Sequence, residues 1–293
     1  MLSEVIPNEE EKNTGTLSAE TLSRALGQLQ ETGYLIGRGI CNPEHLENIR
    51  GVLDRTWEDF SRAPSWIGGG RIIGHLACKL PSTRDMVFDD VLLNPIVRQI
   101  AAELLGGAPR NLHYGGNTNL PDSVPQMFHS DVVDRTESSL VVNIPVGNVT
   151  SDNGAIELIP ETHRRQYAHD EIQSLERRGG YVRAETASGD VILRYPGLLH
   201  RGTSNKSSRP RHMIGLWYAE AGSQRESETP PLILGSDCSD WAEENAAALH
   251  YTIGDPTAAL APNYFPAGFR GAMMERFYRT APDLFRSLRA LRD

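Results

Sequence analysis

The hydrophobic and polar positions follow two different grammars along the chain. From residue 17 to about residue 105 the spacing is mostly helical. "SAETLSRALGQLQETGY" carries an apolar stripe of Leu22, Leu26 and Leu29, with Ser18 placed to cap the first turn. "YLIGRGI" then reads as a strand. "NPEHLENIRGVLDRTWEDFSR" predicts a second helix, with Asn42 as its cap and Pro43 at its first position. "DDVLLNPIVRQIAAELLGG" predicts a third helical region, in which Pro95 is a start or a kink and Gly106 is the stop. After residue 110 short β-rich runs take over: "RNLHYGGNTNL", "MFHSDVV", "SSLVVNIPV", "NGAIELIP", "YVRAETA", "GDVILRYP", "LLHRG" and "RHMIGLWYAE". Gly, Asn, Asp and Pro separate most of them, a pattern that predicts an antiparallel sandwich or barrel. One polar helical insert, "HRRQYAHDEIQSLERRGG", interrupts the series, and from about residue 236 the chain turns helical again. The expected layout is mainly β with flanking helices. A flexible tail over residues 1–16 precedes a single domain over 17–293.

Composition narrows the function classes. The chain has 293 residues, 39% hydrophobic and 23% charged, as in a soluble globular protein with a sizeable core. A net charge of −9 argues against a nucleic-acid or anionic-membrane binder, which needs a basic face. The acidic N-terminal stretch lacks the apolar segment of a secretory signal, and no apolar run reaches membrane-spanning length. Cys41, Cys78 and Cys238 are scattered, without CxxC spacing, so a reduced, cytoplasmic setting is expected and a structural zinc site is not.

The candidate chemistry starts at "QMFHSDVVD". His129 and Asp131 are two apart in a strand-like run, so their side chains leave one face. Such a pair can be two surface residues; it can also be two ligands of a divalent ion. Two histidines and one carboxylate on one face of an octahedron leave three positions open, the arrangement of non-haem Fe(II) oxygenases. That reading needs a third ligand from a distant part of the chain. His200, closing "GDVILRYPGLLHRGTSN", is the first candidate, and His113 and His163 are rivals. Arg211 follows on the next strand. A buried arginine beside a metal site calls for an anionic partner, and its planar fork suits a carboxylate. Arg209 competes with it, but Pro210 puts Arg209 in the turn.

These segments together resemble the phytanoyl-CoA dioxygenase family of Fe(II)/2-oxoglutarate oxygenases. "FHSD" resembles the family's HxD, and "DNGAIELIPETHR" its Asn-Gly turn, with Glu161 and Thr162 in place of the usual Gly and Ser. "GDVILRYPGLLHRGTSNKSSRPR" resembles its distal histidine and the approach to its 2-oxoglutarate arginine, and "ETGYLIGRGICNPEHLENIR" its opening strand and helix. "DVLLNPIV" and "GNTNLPDS" carry a weaker likeness to antibiotic-pathway members such as kanamycin B dioxygenase. The resemblance implies a double-stranded β-helix, the cupin-like jelly roll, over about residues 110–220. It implies Fe(II) held by His129, Asp131 and His200, and 2-oxoglutarate anchored by Arg211. Asn117, Asn119 and Thr203 are further candidates for holding the cosubstrate. The implied reaction consumes O2 and 2-oxoglutarate, releases succinate and CO2, and oxidises a small molecule, most simply by hydroxylation, in specialised metabolism. Asp131 favours hydroxylation over halogenation, because related halogenases leave the carboxylate position empty. The alternative is a cupin-like metal- or sugar-binding module without redox chemistry. A lid is expected from "VVDRTESS" and "GGGRIIGHLACKLPSTRD", with Gly68, Gly69 and Gly70 as its hinge and Arg71 or His75 as a substrate contact. Substrate identity and oligomeric state stay open, a homodimer included.

Overall fold

The computed structural model describes residues 2–62, 74–80, 82–132 and 138–255, with the backbone alone for 56–62 and 77–79. The chain begins with β1 (Glu4–Val5), α1 (Glu9–Thr14), α2 (Ala19–Thr32), β2 (Tyr34–Gly37) and α3 (Pro43–Arg62). Next come β3 (His75–Lys79), α4 (Asp89–Leu92), α5 (Pro95–Leu105), β4 (Pro109–Asn119) and β5 (Ser139–Pro145). Then follow β6 (Ile156–Leu158), α6 (His169–Arg178), β7 (Val182–Ala184), β8 (Val191–Arg194), β9 (His200–Gly202) and β10 (Arg211–Glu220). Last are α7 (Gln224–Glu228), β11 (Leu232–Leu234), α8 (Ser239–Glu244) and β12 (Tyr251–Ile253).

The helix ends obey local chemistry. The Ser18 hydroxyl accepts the Thr21 N–H at 3.2 Å, and Gly33 closes α2 at φ 88°, where a glycine has no steric penalty. Asn94 accepts the N–H groups of Ile96 and Val97, and Pro95 takes the first position of α5, whose own N–H would have no partner anyway.

A seven-stranded sheet runs in the order β1-β2-β8-β5-β10-β4-β3, and a three-stranded sheet in the order β7-β6-β9. Every strand pair in them is antiparallel except β1 with β2. This is the jelly roll the resemblance implies. Tyr34, Ile36, Ile192 and Met213 of the large sheet meet Ile156, Leu158 and Ala184 of the small one. On the far face Leu35, Leu193, Val142 and Leu216 pack with Ala25, Leu29, Leu46, Ile49 and Ile100 of the helices. Both faces of β2 and β8 are covered, so all their residues are buried and their sequences do not alternate.

Two expectations need correction. Residues 2–16 are not a loose tail. β1 pairs parallel with β2, and Arg38 bridges to Glu4 at 2.9 Å. Glu11 accepts the backbone N–H of Asn8 at 2.9 Å and of Ser18 at 2.8 Å, which holds its carboxyl down at about 2. Two of the carboxylates that make the segment read as polar are tied in, Glu11 as a cap and Glu4 as a bridge. His75 is not on a lid loop either. It lies on β3, buried and paired with Asn119 of β4. Of the two proposed lid segments, 68–85 and 132–139, residues 68–73, 81 and 133–137 lie outside the described residues, as does the chain from 256. Helical turns do occupy residues 236–248, but they give way to β12, which pairs parallel with β11.

Candidate metal centre

His129 and His200 face each other across adjacent backbone segments. Their main chains exchange two hydrogen bonds, His129 N–H to His200 O at 3.0 Å and the reverse at 2.9 Å. Directly opposed residues project to one side of a sheet, and these two rings sit 4.4 Å apart between centroids. The run holding His129 thus extends the small sheet beyond β9. Asp131 N–H donates to Pro196 O at 2.8 Å, which ties the end of that run to the turn after β8. The result is a cluster of His129, Asp131 and His200 whose ligand atoms lie within 4.8 Å of one another.

The backbone also sets which nitrogen of each ring faces the cluster. His129 Nδ1 lies 2.9 Å from Met127 O, and His200 Nδ1 lies 3.0 Å from Leu198 O. A carbonyl only accepts, so each Nδ1 carries the proton and each Nε2 keeps its lone pair. His129 Nε2 is 4.0 Å from Asp131 Oδ1, and His200 Nε2 is 3.7 Å from Asp131 Oδ2. Burial holds His200 well below the ordinary imidazole range; nearby Arg194 acts the same way, while Asp131 opposes both. Two imidazoles that present Nε2, with a carboxylate, are the donor set of an iron facial triad.

The rivals lie elsewhere. His113 is exposed on β4, six residues from Asn119, which is roughly 20 Å of strand at ~3.4 Å per residue. His163 stacks on Tyr195 at 4.8 Å and reaches the end of α2 through Gln30 O at 3.2 Å.

Beside the cluster runs a row of polar side chains across three strands. His75 of β3 pairs with Asn119 of β4, which pairs with Arg211 of β10. They are 3%, 0% and 5% exposed, so none can rely on solvent for its polar atoms. Each nevertheless keeps a buried polar atom without a hydrogen-bond partner among the described residues: His75 Nδ1, Asn119 Oδ1, and both Nε and Nη1 of Arg211. Buried polar atoms are normally satisfied, so these are atoms that a bound ligand could engage. Arg211 Nη2 donates to Gly154 O at 2.9 Å, and Asn119 Nδ2 donates to Thr203 O at 2.7 Å. Burial brings the Arg211 guanidinium down to about 10, and burial, more than Arg211 or His129 nearby, brings His75 down to about 4. Thr203 gives its hydroxyl proton to Ala155 O at 2.7 Å. Asn117 lies two residues from Asn119, on the same face, opposite Met213. Arg209 is exposed in the turn.

One residue of the cluster escaped sequence reasoning. Arg194 Nη2 donates to Asp131 Oδ2 at 2.6 Å. Its signal was an arginine ending the apolar strand "VILR", where a charge needs a partner.

The two sheets, with a His-X-Asp and a distal histidine at one end, define a metal-dependent oxygenase jelly roll. The chain belongs to the phytanoyl-CoA dioxygenase (PhyH) family, whose model matches residues 29–213. It is an enzyme of that iron- and 2-oxoglutarate-dependent class. Solved structures share the fold at low identity. One is the non-heme alpha ketoglutarate dependent carbocyclase SnoK from nogalamycin biosynthesis, with 19% identity and TM-score 0.56 over 73% of this chain and 87% of that one. AviO1 from Streptomyces viridochromogenes Tue57 has 16% identity and TM-score 0.55 over 73% of this chain and 99% of that one. HygX from Streptomyces hygroscopicus, solved with nickel, 2-oxoglutarate and hygromycin B bound, has 16% identity and TM-score 0.55 over 70% of this chain and 88% of that one. No helix among the described residues is long and apolar enough to cross a membrane.

Proposed function

We propose that the protein is an Fe(II)/2-oxoglutarate-dependent oxygenase that hydroxylates a small molecule of specialised metabolism. His129, Asp131 and His200 hold the iron, and Arg211 anchors the far carboxylate of 2-oxoglutarate. The observation that carries this reading is the pairing of two features: Nε2 atoms set toward one carboxylate, and a buried guanidinium on the adjoining row with two donors unpaired among the described residues. A metal- or sugar-binding module has no use for the second. The fold relatives from nogalamycin biosynthesis, and the one holding hygromycin B, support a small-molecule substrate.

The chain's own groups have distinct tasks here. The Met127 and Leu198 carbonyls fix the tautomer and the orientation of the two imidazoles. Arg211 binds a carboxylate through its fork, a geometry a lysine cannot supply. Asn119 stands next to it, positioned by Thr203, and Asn117 lies further along the same face. The inner apolar residues exclude water. Bound iron and 2-oxoglutarate together supply the oxidising power, with conversion of 2-oxoglutarate and O2 to succinate and CO2.

The test compares variants. His129→Ala is expected to lose both bound iron and substrate-dependent succinate release. Arg211→Ala is expected to keep iron and require far more 2-oxoglutarate, with Arg209→Ala near wild type. Wild-type iron content and turnover in His129→Ala would overturn the ligand assignment, and the reverse ranking of the arginines would move the anchor.

A further inference from the structure

Arg194 sits where a charge is costly. It ends β8, a fully buried strand third in the seven-stranded sheet, and it is 4% exposed. Its neighbours across the ladder are Tyr34 of β2 and Val141 of β5, neither of them an acid. Its one carboxylate contact among the described residues is Asp131, at 2.6 Å. Nε donates to Asn143 Oδ1 at 3.0 Å, which fixes the guanidinium plane from the neighbouring strand. Nη1 is buried and has no partner among the described residues. An arginine kept for architecture has its donors satisfied. Among the described residues this one leaves a donor without a partner and holds on to the acid of the metal cluster.

We propose that Arg194 is a positioning residue: it is the counter-ion of Asp131 in the metal-free protein, and by keeping Oδ2 it confines the carboxylate to one-oxygen ligation of the metal. The inference rests on the reading of His129, Asp131 and His200 as the metal site. Its value is a matter of counting. Three protein ligands on an octahedral ion leave three positions, and a chelating cosubstrate takes two of them. A carboxylate binding through both oxygens would fill the last, which O2 needs. Arg194 guards that position at the expense of affinity, because its charge repels the cation and competes with it for Asp131.

That trade gives a signature no structural role shares. Co(II) binding is measured anaerobically, without 2-oxoglutarate, on the full chain. Arg194→Gln and Arg194→Met are expected to bind Co(II) about tenfold tighter than wild type, or more, since a screened like-charge repulsion is removed. Their visible Co(II) bands should weaken as the coordination number rises. Arg194→Lys keeps the charge and should stay near wild-type affinity. Metal-free Arg194→Gln should melt below wild type and recover on Co(II) saturation. Asn143→Ala leaves the charge but frees the guanidinium, so it should alter the bands while affinity holds; it reads the same proposal if both neutral variants misfold. Folded neutral variants with unchanged or weaker Co(II) binding and unchanged bands would overturn the role of Arg194, as would an unaltered spectrum in Asn143→Ala. A wild-type chain that binds no Co(II) would overturn the metal site itself.

Discussion

Replacing Arg211 with methionine should make the metal-free protein more stable while destroying cosubstrate binding. Burial alone depresses the guanidinium from its ordinary value to about 10. At ~1.4 kcal/mol per unit this is a penalty on the order of 3 kcal/mol for holding the charge buried. The sign follows from the direction. A base depressed on folding is disfavoured at every pH below its folded value, so the penalty is fully present at neutral pH and fades only as pH climbs past about 10. Methionine fills a similar volume without charge. It forfeits the bond to Gly154 O, which contributes about 1 kcal/mol. The net gain is about 2 kcal/mol, or about 4 °C at roughly 2 °C per kcal/mol for a chain of this size. Thermal melting of metal-free Arg211→Met against wild type reads that term. Calorimetric titration of the Ni(II)-loaded protein with 2-oxoglutarate reads the other, where loss of the buried ion pair should weaken binding on the order of 100-fold. A variant that melts several degrees below wild type and still binds 2-oxoglutarate within about threefold would refute the reasoning.

Three further outcomes follow from local geometry. Gly154 has φ 96°, and a Cβ there would lie 2.1 Å from Asn119 Nδ2. Gly154→Ala should therefore cost about 1–3 kcal/mol in urea unfolding and weaken 2-oxoglutarate binding, and wild-type values for both would contradict the assigned contact. Deleting residues 1–16 removes the β1–β2 pairing, the Glu4–Arg38 bridge and the Glu11 caps, so the melting temperature should fall by several degrees rather than hold as it would for a tail. Burial, helped by Asp90 and Asp190, pushes the Cys41 thiol far up, so peptide mapping after mildly alkaline iodoacetamide should find it unmodified until the protein unfolds.

What could be read in advance was local or ordered along the chain. Ser18, Asn94–Pro95 and Gly106 announce helix ends because each satisfies neighbouring backbone groups. His129 and Asp131 share a face by strand periodicity alone, and His200 joins them through the order of motifs. What escaped was long-range. Arg194 and Asp131 are 63 residues apart, and nothing local links them. His75 follows a glycine run that suggests a loop, yet cross-strand pairing puts it two strands from Arg211. The first sixteen residues look unfoldable by polarity, because the amino-acid pattern does not reveal that Glu11 and Glu4 have partners waiting.

The pairing of His129 with His200 has an engineering consequence. The two hydrogen bonds that set their separation come from main-chain N–H and C=O groups, which every residue other than proline carries. Side chains at both positions are thus interchangeable cargo on a fixed mount. A carboxylate or thiolate placed at either one inherits the same spacing, so the metal preference of this scaffold can be retuned by substitution without rebuilding the strands that present it.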